Sequence, residues 1–135
     1  MIRQLDDKVL ISGQIRPEDM AELKQRGVTM LVNNRPDGEE PGQPLGVEIE
    51  RAAAQAGIDY RSVPIIKGIG PADAEAMSEA IADCGEGKLL AFCRSGTRSA
   101  LAWALARSHE GVPRAEIEQS AAEAGVDLSP VAHLL

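Results

Sequence analysis

The sequence predicts an α/β domain: a single domain spanning residues 1–135, with a mainly parallel sheet flanked by helices. Short apolar runs alternate with longer helical stretches along the whole chain, and Gly or Pro marks most of the switches between them. Strands separated by helices of this length imply right-handed crossovers, which place helices on both faces of a parallel sheet. A chain of 135 residues holds one core and is too short for two ordinary ones.

The elements follow in order. Lys8 to Ile11 is a short β-run, and Pro17 to Arg26 a helix with Pro in its first turn and Gly27 after its end. Val28 to Val32 is a strand, followed by the turn-rich loop Asn33-Asn34-Arg35-Pro36-Asp37-Gly38-Glu39-Glu40-Pro41-Gly42. Val47 to Ala56 is a helix stopped by Gly57, and Asp59 to Ile65 a strand leading into the loop Lys67-Gly68-Ile69-Gly70. Pro71 to Asp83 is a helix with Ala74, Met77 and Ile81 on one face. Lys88 to Phe92 is a strand, Thr97 to His109 a helix, and Arg114 to Ala124 a last long helix before Gly125, with a further helical turn at Ser129-Pro130. Ligands of such sheets bind at the carboxyl ends of the strands. One rim therefore carries Cys93, the Asn33 to Glu40 loop and the Ile66 to Gly70 loop.

Composition narrows the partners. Lys and Arg number 14 against 21 Asp and Glu, and the net charge of -7 opposes nucleic acid and anionic membranes through the bulk field. Any anion must be captured locally. Phe92, Trp103 and Tyr60 are the only aromatics, too few for a base-stacking platform. Neither a signal peptide nor a membrane-spanning run is present, so a cytoplasmic location is expected. Cys84 and Cys93 form no disulfide framework or zinc pattern, and His109 and His133 lie far from Cys93, so neither a metal nor a cofactor is expected.

One segment carries chemistry. Leu89-Leu90-Ala91-Phe92-Cys93-Arg94-Ser95-Gly96-Thr97-Arg98-Ser99 delivers a cysteine from a buried strand into a short loop that opens a helix. Backbone N–H groups without intrahelical partners and the positive end of the helix dipole stabilise a thiolate there. Arg94 and Arg98 add positive charge, so the Cys93 thiol should titrate below its ordinary ~8.5 and the loop should bind an anion. Arg98 in a first helical turn is unfavourable without an anion to balance it. Ser95, Gly96 and Thr97 contribute backbone N–H groups, and Gly96 supplies a backbone shape that a Cβ would block. Ser99 is placed to hydrogen-bond the thiolate or to cap the helix. For Arg94, direct contact with the anion and an outward, solvated role fit equally. Arg35 and Asp37 read from the sequence as an Asp-Gly turn with a surface ion pair. Cys84 reads as a small buried hydrophobe, and Trp103 with Leu101 and Leu105 as core.

Four segments resemble a known family: Ile11-Ser12-Gly13-Gln14, Val32 to Glu39, Tyr60 to Pro64, and Phe92 to Ser99. Over its whole length the chain resembles the phosphatase-like domain of β-lactamase-hydrolase-like proteins, also described as a sulfurtransferase family. The resemblance implies a fold similar to dual-specificity phosphatases. It implies a role for Arg35 as a second anion contact with Asp37 as its orienting partner. Fusion of this domain to a persulfide dioxygenase in some relatives implies sulfide and persulfide metabolism, with such a dioxygenase as a partner.

Loop length then weighs two chemistries. Cys93 to Arg98 spans six residues, C-x4-R, similar to single-domain rhodaneses, whereas tyrosine and dual-specificity phosphatases carry C-x5-R. The smaller bowl suits a sulfane sulfur better than a phosphoryl group. Phosphatases of this kind also carry His before the nucleophile, where Phe92 stands, and an Asp general acid after the strand ending at Ile65, where no carboxylate appears before Asp73. Sulfite and thiolates leave without a proton. These points favour a sulfurtransferase that forms a persulfide on Cys93 from thiosulfate or glutathione persulfide and passes it to a thiol acceptor or cyanide. A phosphatase using Asp37, Asp73 or water in place of the acid is the alternative, and a non-catalytic anion-binding domain docked on the dioxygenase is a third reading.

Overall fold

The computed structural model describes residues 1–135. Five strands form one sheet in the order β1-β2-β5-β3-β4. They are β1 (Arg3–Gln4), β2 (Val9–Ser12), β3 (Val28–Asn33), β4 (Asp59–Ser62) and β5 (Lys88–Phe92), and only the β1–β2 pair is antiparallel. The helices are α1 (Met20–Gln25), α2 (Gly46–Ala56), α3 (Pro71–Asp83), α4 (Thr97–His109) and α5 (Arg114–Glu123), with 3-10 turns at Pro17–Asp19 and Ser129–Leu134. The α/β class and the parallel sheet expected from the sequence are what the chain adopts.

Side-chain alternation along each strand divides the core in two. Val9, Ile11, Met30, Val32, Leu89 and Ala91 face a cluster shared with α3, α4 and α5. Leu10, Val28, Leu31, Leu90 and Phe92 face a second cluster shared with α1 and α2. Central β5 is buried on both faces from Leu89 onward, which is why it reads as an unbroken apolar run. Helix α4 is buried from Ser99 to Ala106, and its alanines let it lie close against both the sheet and α3.

Three differences from the sequence expectation have local causes. β1 spans two residues, too few for any period to register. The Pro17 to Arg26 segment starts as a 3-10 turn because the Asp19 carboxylate draws back to the Arg16 N–H at 2.8 Å. β4 ends at Ser62 rather than Ile65, since Pro64 has no N–H to continue the ladder, although Val63 and Ile65 still donate to the Asn33 and Asn34 carbonyls at 2.9 Å. Trp103, Leu101 and Leu105 are core, and Cys84 packs against that core with its Sγ 3.4 Å from Thr29 Oγ1. No helix is long and apolar enough to cross a membrane.

Asp6 pins the chain's start to α4. Its Oδ1 accepts the Lys8 and Val9 N–H groups, and its Oδ2 accepts Trp103 Nε1 at 2.8 Å and Arg107 Nε at 3.0 Å. Burial pushes the carboxyl up, but the Trp103 N–H, the backbone donors and Arg107 outweigh it and hold it below its ordinary value. Asp6→Ala leaves the Trp103 and Arg107 donors unpaired, and about 2–4 kcal/mol of stability should be lost in urea denaturation. Because the folded pKa is depressed, the wild-type contribution is present above the unfolded value of ~3.9 and disappears as pH falls through the folded one. A variant as stable as wild type at neutral pH would refute this.

Candidate active site

The site is built where β5 ends. Cys93 is 1 % exposed, with its N–H directed at the Ser12 carbonyl at 3.4 Å. Arg94 to Gly96 turn the chain, and Thr97 begins α4. Gly96 adopts φ +96°, a left-handed conformation that favours glycine, and its N–H points at Cys93 Sγ at 3.1 Å. The loop after β2 backs the turn: a Cβ on Gly13 would stand 2.9 Å from the Arg94 carbonyl oxygen, so the two backbones touch where only glycine fits.

Burial pushes the Cys93 thiol up, but the backbone N–H groups of Ser99, Ser95 and Gly96 outweigh it and bring the thiol below its ordinary value. The Arg98 cation and the Cys93 thiolate favour each other. Ser99 is fully buried, and its hydroxyl donates to Asn34 Oδ1 at 2.7 Å, while Asn34 Nδ2 donates to the Val63 carbonyl at 2.9 Å. Asn34 thus fastens the start of α4 to the chain leaving β4. The Ser95 and Thr97 hydroxyls lie at the exposed lip, 3.2 Å apart.

Arg98 reaches across the rim. Its Nη1 and Nη2 meet Glu39 Oε2 and Oε1 at 2.8 Å each, and Nη1 also donates to the Ile65 carbonyl at 2.8 Å. This brings the Cys93 loop, the loop after β3 and the exit of β4 together on one rim. A paired carboxylate meets the guanidinium fork as a bidentate oxyanion would. The hydrogen bond from Arg98, then that from Arg35 against the opposing effect of burial, lowers the Glu39 pKa to about 2.

Arg35 and Asp37 do not form the pair that the resemblance implies. The Arg35 side chain is 1 % exposed, and its Nε, Nη2 and Nη1 donate to Glu39 Oε1, Glu40 Oε1 and Gln14 Oε1 at 2.9, 2.9 and 3.1 Å. Asp37 Oδ1 instead accepts the Gly46 N–H at the start of α2 at 2.8 Å. The physical reason is the turn at Gly38, φ +79°, which folds the following two carboxylates back over Arg35. Buried with its donors committed to protein oxygens, Arg35 shapes the loop. Arg94 is 69 % exposed, 3.7 Å from Glu40, and points outward. Asp73 Oδ2 accepts the Gly70 N–H at 2.9 Å and caps α3. Glu39 is the residue that sequence reasoning misses: six positions past the end of β3, it carries no spacing signal that pairs it with Arg98.

Comparison with known proteins gives this geometry its relatives. Over 130 residues, the chain is 40% identical to the β-lactamase hydrolase-like protein of Xylella fastidiosa, covering 94% of this chain and 30% of that protein. The chain therefore spans under a third of that curated relative. A crystallised candidate phosphatase from Neisseria meningitidis is 35% identical, with a TM-score of 0.84 over 98% of this chain and 94% of its own. TpbA of P. aeruginosa, crystallised with phosphotyrosine, shares the fold at 16% identity, with a TM-score of 0.64 over 88% of this chain and 70% of its own. Residues 1–110 match the family described as beta-lactamase hydrolase-like protein, phosphatase-like domain, and the chain belongs to it.

Proposed function

We propose that this member of the phosphatase-like family is a cysteine-dependent phosphomonoesterase with Cys93 as nucleophile. The observation that carries the reading is the Gly96 N–H on Cys93 Sγ, in a loop that opens a helix whose second residue, Arg98, favours the Cys93 thiolate and is held by Glu39 across the rim. The Cys93 thiolate attacks phosphorus, an S–P bond forms, and the ester P–O bond breaks with its electron pair leaving on oxygen. Water then attacks the cysteinyl phosphate, the S–P bond breaks, and thiolate and inorganic phosphate are released. A groove of ≈ 370 Å³ at the carboxyl ends of β3 and β4, lined by Asn33, Tyr60, Ser62, Pro64 and Ile66 among others and by no residue of the Cys93 loop, is the proposed place for the organic part of a large ester.

The carboxylates on the rim are committed elsewhere. Glu39 is held ionised by Arg98 and Arg35, while Asp37 and Asp73 cap helices. The leaving oxygen therefore takes its proton from water. Esters of acidic phenols should turn over well, and phosphoserine should be slower by about 10²–10⁴-fold, the usual contribution of a general acid.

Sulfur transfer is the second reading, favoured by the six residues from Cys93 to Arg98 and by the lack of an uncommitted acid. In that reaction the Cys93 thiolate attacks the outer sulfur of thiosulfate, an S–S bond forms, and sulfite leaves with the electron pair. The persulfide then passes its outer sulfur to a thiol or to cyanide. Loop length and the missing acid favour this chemistry, while the family and its relatives support hydrolysis better. Steady-state turnover of p-nitrophenyl phosphate, beside intact mass after thiosulfate or glutathione persulfide, separates the two. Thiol-dependent release of phosphate is the expected result. A one-sulfur adduct without phosphate release transfers the assignment to sulfur transfer, and the absence of both adduct and phosphate release refutes both readings.

A further inference from the structure

We propose that Arg3, from the edge strand β1, holds the peptide group that serves the nucleophile in its working orientation. Arg3 Nη2 donates to the Ser95 carbonyl at 3.1 Å, and Nη1 donates to the Ala124 carbonyl, just past the end of α5, at 3.1 Å. The Ser95 carbonyl and the Gly96 N–H belong to one planar amide, and that N–H is the one directed at Cys93 Sγ at 3.1 Å. A single rigid plane therefore carries a guanidinium on its oxygen and the sulfur on its nitrogen side.

Two physical effects follow. A cation on the oxygen polarises the amide and makes its N–H a stronger donor to a thiolate. The cation also resists rotation of the plane. Gly96 at φ +96° has no Cβ to restrict the peptide before it, and a rotated plane would turn the carbonyl oxygen toward the sulfur. The second bond, to Ala124, fixes the guanidinium from the other side. Arg3 also packs onto the glycine itself, since a Cβ there would lie 3.0 Å from Nη2. Arg3 is thus a positioning residue that acts through Ser95 and Gly96 without touching the reacting atoms.

The inference rests on Cys93 as a nucleophile and is independent of which substrate it attacks. Its test accordingly reads alkylation rather than turnover. Arg3→Met and Arg3→Gln, with folding verified by circular dichroism, are compared with wild type for iodoacetamide labelling of Cys93 across pH. At ~pH 6, below the ordinary range of a free thiol, both variants should label about three- to tenfold more slowly, the loss of one charge-assisted bond's contribution. The rates should converge at high pH, where every thiol is ionised, and Arg3→Lys should recover part of the difference. A purely structural role would leave the pH profile in place. Unchanged profiles in the folded neutral variants overturn the proposal. Wild-type protein provides an arm free of folding effects: the Gly96 amide proton should shift downfield as the Cys93 thiol ionises, and a Gly96 resonance indifferent to that titration overturns it as well.

Discussion

Cys93→Ser should lower kcat/KM for p-nitrophenyl phosphate by about 10⁴–10⁶-fold, the scale of removing a nucleophile that works as one unit with its surroundings. The backbone donors around Cys93 lower a thiol that ordinarily titrates at ~8.5, but a serine hydroxyl starts too far above that range for the same donors to ionise it. The fold should survive, because Ser is smaller than Cys and the N–H groups that met sulfur can meet oxygen. Thermal melting should therefore change little, and inorganic phosphate or vanadate should still bind, since the loop and Arg98 are intact. Residual turnover within tenfold of wild type would remove Cys93 from the chemistry altogether.

Arg98→Lys should cost about 10²–10³-fold in kcat, comparable to loss of one donor that stabilises developing negative charge. Lysine keeps the charge but loses the planar fork that meets Glu39 through two bonds and the Ile65 carbonyl through a third. The substitution has a second, independent readout. Arg98 is the main reason that Glu39 titrates at about 2, so Glu39 should return toward the ordinary carboxylate range in the variant. With the folded pKa depressed, wild type keeps the stability of this ion pair above the unfolded value of ~4.3 and loses it as pH falls toward about 2. Acid denaturation of Arg98→Lys should lack that component. Equal kcat and equal acid sensitivity in the two proteins would contradict both roles of Arg98.

What the sequence by itself determined is local. The bounds of α3, β5 and α4 coincide with the expected Pro71 to Asp83, Lys88 to Phe92 and Thr97 to His109, because apolar period, helix formers and Gly or Pro stops act over neighbouring residues. The cradle is legible for the same reason: strand, nucleophile, turn and helix are contiguous, so one stretch of sequence carries both the thiol and the amides that lower its pKa. The tertiary structure alone decided which distant groups meet that cradle. The strand order β1-β2-β5-β3-β4 sets β5 between β2 and β3 and brings Glu39 to Arg98. Packing β1 on β2 carries Arg3 to Ser95, ninety-two positions away in the chain. Nothing in the composition or spacing of those segments encodes such pairings, since ion pairs and side-chain bonds to carbonyls depend on where loops end in space. Arg35 shows the limit most directly: sequence neighbourhood and family resemblance pair it with Asp37, but the turn at Gly38 offers it Glu39 and Glu40. A buried guanidinium takes whichever carboxylates the fold delivers, because leaving it unpaired would cost more than any local preference contributes.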